Sequence, residues 1–308
     1  MSAGELPVVS AVVTTYQRPV EVVRRALKSV IGQNYPHLEV ILVNDCPQDS
    51  TLSASLKALC QELSQGRPVT YLPMEHNGGA CRARNFGAAR AKGSYLAFLD
   101  DDDEWLPAKI SQELAAAEAH ESVGLVYCNA VLHYDAGEKP DGLLAPHPLP
   151  SGNIFLPLLG RNFIGSCSFP LIARADFERL GGFNADMPAL QDWEFYLRLT
   201  RQKEAVYLAE PLARYHFHQG ERISAHPERR TAAFEHIHQQ YAGDLAAHPR
   251  VASSFYLMGT YLYSVAGDMR RAWAYYRRGV RLDPGQLTRN VKDFFRMALR
   301  PFVHTKVV

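Results

Sequence analysis

Short runs of aliphatic and β-branched residues alternate with stretches of helical periodicity through the first half of the chain. Val8-Val9-Ser10-Ala11-Val12-Val13 reads as a strand buried on both faces. Pro19 opens a helix with Val20, Val23, Leu27, Val30 and Ile31 on one stripe. Glu39-Val40-Ile41-Leu42-Val43 predicts a second buried strand, and Ser50 or Thr51 is placed to cap a helix carrying Leu52, Leu56 and Leu59. Val69-Thr70-Tyr71-Leu72 is a third strand. After His76-Asn77-Gly78-Gly79 a helix of small residues is expected from Ala80 to Ala91. Tyr95-Leu96-Ala97-Phe98-Leu99 is a fourth strand and runs into Asp100-Asp101-Asp102-Asp103. Pro107 then starts another helix, and Gly124-Leu125-Val126-Tyr127-Cys128 is a fifth strand.

This alternation predicts an α/β fold, a mostly parallel sheet with helices on both faces. Ligands of such sheets lie beyond the carboxyl ends of the strands. Thr14 to Tyr16, Asn44-Asp45 and Asp100 to Asp103 all fall at those ends. Residues 135–150 are rich in Gly and Pro and read as a loop. The pattern resumes in Phe169-Pro170-Leu171-Ile172-Ala173 and in a helix around Asp192 to Thr200. From about His226 onward the chain reads as helical, which sets the expected division at 1–225 and 226–308. Gly267-Asp268, Ala272, Ala274, Tyr275 and Leu282-Asp283-Pro284 resemble half of a tetratricopeptide unit. One such unit cannot bury its own face, so a local helical hairpin packed on the body is expected.

Composition adds a soluble globular protein of 308 residues, 47% hydrophobic and 21% charged. The net charge of +1 hides an asymmetry: from Ala246 to the end eleven Lys/Arg face three Asp, a balance of +8, and the preceding residues carry −7. A basic tail on an acidic body points to an anionic surface such as membrane lipid, and nothing calls for nucleic acid. Leu287, Val291, Phe294, Phe295, Ala298, Leu299 and Phe302 form a helical stripe among Arg289, Lys292, Arg296 and Arg300. That stripe suits peripheral contact with an anionic membrane, docking on the body, or a homodimer partner. The five cysteines form no Cys-x-x-Cys, which fits a reducing compartment and disfavours structural zinc. No signal-like segment and no apolar run of about 20 residues occurs, so a cytoplasmic location is expected, at most peripheral on the inner membrane face.

Four consecutive carboxylates repel one another unless cations or hydrogen-bond donors compensate them. Oxygen ligands on a strand-to-helix turn suit a hard cation, Mg²⁺ or Mn²⁺. The competing reading is a solvated turn with Asp103 or Glu104 at a helix N-terminus. The position directly after a buried strand and before Trp105-Leu106-Pro107 favours the metal. Thr14-Thr15-Tyr16-Gln17-Arg18-Pro19 stands where a Gly-x-Gly-x-x-Gly would follow the first strand, and no Walker-type loop is present. Nicotinamide and P-loop chemistry are thereby disfavoured.

Five segments in order resemble family-2 glycosyltransferases with the GT-A fold. They are Val12-Val13-Thr14-Thr15-Tyr16-Gln17-Arg18-Pro19, and Val43-Asn44-Asp45-Cys46-Pro47-Gln48-Asp49-Ser50, where the family usually has Val-Asp-Asp-Gly-Ser-x-Asp. Asn77 to Gly87 follows, similar to Gly-x-x-x-Ala-Arg-Asn-x-Gly. Phe98 to Pro107 contains the Asp-x-Asp metal motif, and Gly181-Gly182-Phe183 with Gln191-Asp192-Trp193-Glu194 resembles the acceptor-side motif. The resemblance spans about residues 8–225 and implies a GT-A, Rossmann-like mixed and mostly parallel sheet, followed by an all-helical C-terminal extension.

The resemblance also implies roles. Tyr16 stacks on the nucleotide base, with Thr14 and Arg18 beside it, and Asp45 accepts from N3–H of uracil or thymine. Arg84 and Asn85 line the nucleotide-sugar, the alternative being helix-surface hydrogen bonding. Asp100 faces the ribose or a metal-bound water, Asp101 contributes, and Asp102 is the main metal ligand. His218 contacts metal or diphosphate, Arg222 the phosphates, and His216 points away. Asp192 is the general base, the alternative being an N-cap. The implied reaction is inverting transfer from a UDP- or dTDP-sugar to a saccharide or lipid-linked glycan. A nucleotidyltransferase and a helical scaffold with a dead catalytic domain are the alternatives. The first lacks its Gly-rich basic loop, and intact Asp45, Asp102 and Asp192 argue against the second.

Overall fold

Val9–Thr15 forms β1, in which every residue is buried, as the unbroken apolar run predicts. The computed structural model describes residues 6–64, 66–134, 140–217 and 226–286. Parallel neighbours flank β1: β2 (Leu38–Asn44), with β3 (Val69–Pro73) beyond it, and on the other side β4 (Tyr95–Asp100). Helices α1 (Val20–Ile31), α2 (Ser50–Leu63) and α3 (Ala80–Ala88) connect them. Asp49, not Ser50 or Thr51, caps α2, its Oδ1 accepting from Leu52 N–H at 2.8 Å. α3 stops at Ala88 rather than Ala91, and α4 (Lys109–Glu118) begins two residues after Pro107.

Beyond β4 the sheet changes direction. The order is β3-β2-β1-β4-β8-β6-β9-β5, with β7 (Gly142–Leu143) added to β6. β8 (Leu171–Ala173) runs antiparallel to both β4 and β6 (Val123–Tyr134), each over two or three residues. β6 then pairs parallel with β9 (Glu204–Phe217) in an irregular ladder. The two-residue β5 (Glu104–Trp105) is antiparallel to β9. The strand expected at 124–128 is thus twelve residues long. β9, the longest strand among the described residues, has no counterpart in the sequence reading, and it includes His216. Helices α6 (Arg174–Arg179) and α7 (Gln191–Thr200) complete this unit, which takes residues 6–154, 163–185 and 191–217.

The second unit takes residues 155–162, 186–190 and 226–286, so it borrows two short segments that a boundary at 225 leaves out. It contains α5 (Phe155–Gly160), α8 (Pro227–Gln240), α9 (Ala242–Ala247), α10 (Pro249–Val265) and α11 (Met269–Leu282). Its core is aromatic, with Phe234 stacked on Phe255 at 4.3 Å and Glu235 accepting from both Tyr263 and Tyr275 hydroxyls. α10 and α11 form the expected hairpin, turning at Gly267 (φ 79°), with Asp268 capping α11 through Arg271 N–H at 2.9 Å. Among the described residues no helix is long and apolar enough to cross a membrane. All five cysteines are buried thiols outside any disulfide. The stripe at 287–302 lies outside the described residues.

Candidate active site

Three strands deliver their carboxyl ends to one level. Thr14 is in register with Val43 on β2 and Asp100 on β4, and Thr15 with Asn44. The side chains that follow emerge from neighbouring strands about 4.8 Å apart.

At the end of β1 the Tyr16 ring is 47% exposed, which leaves it open as a stacking surface rather than spent on covering the core. At the end of β2 the buried Asp45 accepts from Gly78 N–H at 2.7 Å and Gly79 N–H at 2.8 Å. Burial pushes its pKa up, and these two amides oppose the shift. A carboxylate has about four acceptor positions, so two amides leave capacity for a third donor. Asn44, which stands where the family commonly has an acid, is fully buried; its amide reaches Ser53 and Tyr71 hydroxyls at 3.0 Å and accepts from Cys46 N–H.

The acidic turn divides its carboxylates among three sets of partners, Arg18 being shared by Asp101 and Asp102. Asp100 accepts from Arg84 Nη2 at 2.5 Å and from Ser166 Oγ at 3.2 Å. Arg18 straddles the next two, with Nε to Asp101 at 3.0 Å and Nη2 to Asp102 at 2.7 Å. Asp101 is pushed up to about 7, first by burial and then by the charge of Asp102, against the pull of Arg18. Asp103 is 1% exposed and structural: Ser168 Oγ donates to it at 2.6 Å and His216 N–H at 3.2 Å. Burial and the neighbouring Asp102 and Asp100 hold it well above the ordinary carboxylate range. Arg25 Nη2 grips the Asp102 carbonyl at 2.8 Å. Trp105 Nε1 donates to Ser168 O at 2.8 Å, and His216 Nε2 lies 2.7 Å from Glu104, which locks the turn to β9.

Asp192 lies in the first turn of α7, one residue inside its start, so it is not the cap. Its Oδ1 accepts from Trp193 N–H at 2.8 Å. Burial pushes Asp192 up to about 6; the Trp193 amide and the nearby Arg84 oppose this, and Asp100 adds to it. Arg84, 7% exposed, is bonded to the acid of β4, and its charge also acts on the acid of α7.

Asn85 makes structural hydrogen bonds, the alternative to lining the nucleotide-sugar. Its Nδ2 donates to Phe183 O at 2.8 Å and its Oδ1 accepts from Phe183 N–H at 2.9 Å, which staples α3 to the turn before α7. Arg198 reinforces that turn through Gly182 O at 2.7 Å and Glu194. Gly182 has φ 72°, and a Cβ there would lie 2.6 Å from Asn85 Oδ1. Gly182→Ala is expected to cost about 2–4 kcal/mol in urea unfolding, from the left-handed backbone and the lost staple. In an Asn85→Ala background the added cost should shrink, because the clash partner is gone; strict additivity would refute the staple.

Of the residues the sequence singles out, Thr14, Tyr16, Arg18, Asp45, Asp100, Asp101 and Asp102 lie at or just beyond the carboxyl ends of β1, β2 and β4, Arg84 in the middle of α3 and Asp192 in the first turn of α7. His218 and Arg222 lie outside the described residues. Ser166, Ser168, Arg198 and the pair His216–Glu104 were not anticipated. Ser166 and Ser168 sit on a turn closed by Phe169 N–H on Ser166 O, and no local pattern in the sequence marks them.

Among the described residues no three His, Cys, Asp or Glu converge to cage a metal. Asp103 is committed inward and Asp101 is nearly covered, whereas the side chains of Asp100 and Asp102 keep 30% and 18% exposure. Such a donor set fits Mg²⁺ or Mn²⁺ held by one or two carboxylates with ligand phosphates completing the shell, and not an all-protein site.

The profile of glycosyl transferase family 2 matches residues 10–181. An uncharacterized glycosyltransferase of Haemophilus influenzae is 27% identical over 92% of both chains. The putative colanic acid biosynthesis glycosyl transferase WcaA of Escherichia coli is 30% identical over 76% of this chain and 81% of its own. Among solved structures, S. aureus TarS 1–349 with UDP-GlcNAc superposes with a TM-score of 0.62 at 18% identity, covering 90% of this chain and 83% of that one. Mannosyltransferase PcManGT from Pyrobaculum calidifontis, in complex with GDP-Man and Mn²⁺, gives 0.60 at 19%, covering 87% and 74%. The structural likeness fixes the fold as GT-A-like. The nucleotidyltransferase and scaffold alternatives fall away, and the chain belongs to glycosyl transferase family 2, the glycosyltransferases.

Proposed function

We propose that the enzyme moves a sugar from a UDP- or dTDP-sugar to a hydroxyl of a saccharide or lipid-linked glycan, with inversion at the anomeric carbon. The observation that carries this reading is Asp192 in the first turn of α7, a carboxylate whose pKa burial raises and on which the charge of Arg84 acts, while Arg84 itself is bonded to Asp100 at the end of β4. Direct displacement needs one base to take the acceptor proton as its oxygen attacks. Asp192, at about 6, is ionised near neutral pH yet more basic than an ordinary carboxylate. Tyr16 offers the base a ring face, and Asp45 offers an acceptor to N3–H of uracil or thymine, a donor that cytosine lacks. Asp102, with Asp100, would hold the divalent ion, which when bound neutralises charge on the departing diphosphate. Arg84 keeps the Asp100 carboxylate fixed and moderates the proton affinity of Asp192.

The relatives support the direction of this reading. WcaA is named for colanic acid biosynthesis, and the two structural neighbours hold UDP-GlcNAc, or GDP-Man with Mn²⁺. A thermal-shift panel of UDP-, dTDP-, GDP- and CDP-sugars with Mn²⁺ tests the donor. Stabilisation by UDP- or dTDP-sugars is expected; a response confined to GDP- or CDP-sugars would overturn the base assignment.

The base assignment makes a pH prediction. Asp192 must be deprotonated to act, so turnover at saturating donor should rise about tenfold per pH unit below pH 6 and level off above about pH 7. A flat profile across that range removes Asp192 from the proton transfer.

A further inference from the structure

Helix α11 presents a face that sugar transfer does not use. Inward it turns Ala272 and Gly279, both buried, and Tyr275, whose ring stacks on Tyr263 at 5.2 Å. Gly279 allows close approach to α10: a Cβ there would meet Ser253 O at 3.1 Å. Two parallel stripes lie off this inward line, the first half-buried at Tyr276 and Val280. Met269, Trp273, Tyr276 and Val280 recur at steps of four, three and four residues and so line one edge of the helix. Met269 is 38% and Trp273 49% exposed. Beside them run Arg270, Arg277 and Arg281, all exposed.

The helix contains five arginines and no acid. Arg271 is paired with the capping Asp268, and Arg278 lies over the Tyr256 ring at 4.2 Å. The three stripe arginines meet no carboxylate among the described residues.

We propose that this face of α11 seats on an anionic lipid bilayer, with Arg270, Arg277 and Arg281 on headgroup phosphates and Trp273 and Met269 in the interfacial layer. With five arginines in fourteen residues α11 is far too polar to enter the hydrocarbon core, so it lies in the plane of the surface. Trp and Tyr favour that depth, where a ring meets acyl chain on one side and water on the other. A soluble polyanion would have no use for the apolar stripe. A second copy packed on this face across a two-fold axis would set arginines against arginines. The proposal does not depend on which nucleotide-sugar the enzyme uses.

Flotation of the full chain with vesicles tests it. Binding is expected to vesicles containing about 30% phosphatidylglycerol, to weaken as salt is raised, and to be much poorer to pure phosphatidylcholine. Each arginine at such a surface contributes about fivefold, so the triple variant R270Q/R277Q/R281Q should bind on the order of a hundredfold more weakly. Trp273→Ser should weaken binding by about tenfold. All these positions are on the surface, and an unchanged donor-induced thermal shift will confirm that each variant is folded with its sugar site intact. The proposal is overturned if the wild-type chain does not float, if it binds neutral vesicles equally well, or if the triple variant is unaffected. It is also overturned if binding is lost only when residues 287–308 are deleted, or if the chain binds heparin but no vesicle.

Discussion

Asp192→Asn is expected to lower turnover by about 10²–10⁴-fold while leaving donor affinity within about twofold. The amide has the same shape as the carboxylate, and its oxygen can keep the bond from Trp193 N–H, so the first turn of α7 survives. What disappears is the lone pair able to take a proton. Single-turnover transfer and calorimetric donor binding measure the two effects separately. Near-normal turnover would exclude Asp192 as the base, and a parallel loss of donor binding would make it a structural residue of the pocket.

Asp102→Ala should abolish the metal-dependent part of UDP binding, a loss on the order of a hundredfold. The affinity measured in Mn²⁺ should then match that of the wild-type chain in EDTA, and an unchanged affinity in Mn²⁺ refutes the assignment. Asp103→Ala provides the contrast. Asp103 holds Ser168 and His216 inside the protein, so its removal leaves two buried donors unpaired and should lower stability before it changes metal dependence. Arg18 bonds both Asp101 and Asp102, so Asp102→Ala leaves it one partner and does not strand a cation.

The parts of the fold that were legible in sequence are those whose signal is local. β1, β2 and β4 are buried on both faces and read as continuous apolar runs. β9 was not legible, because its burial is irregular and it includes Glu204, Glu210 and Pro211; neither a two-residue period nor an apolar run marks it. The candidate site shows the same split. The position of the acidic turn located it, yet could not show that Asp103 is committed inward, since that depends on Ser168 and His216, which are distant in sequence. The motif at Asn85 gave its position and not its partner, because the staple to Phe183 spans 98 residues. The cap of α2 was misplaced by one or two residues for a milder reason: Asp49, Ser50 and Thr51 can all cap a helix, and only backbone geometry chooses.

The distances along the chain that secure Asp103 have a consequence for the order in which the protein is made. Its two donors follow it by 65 and 113 residues. On a ribosome adding about 5–20 residues per second, roughly 6–23 s separate synthesis of the turn from synthesis of His216. During that interval β1, β2, β3 and β4 already exist as chain, but the acid that must be buried beside them lacks first both donors and then, once Ser168 has been made, still the His216 amide. The parallel core and the acidic turn are therefore finished in different phases of synthesis, and the turn reaches its final form only when the strand that closes the far side of the sheet arrives.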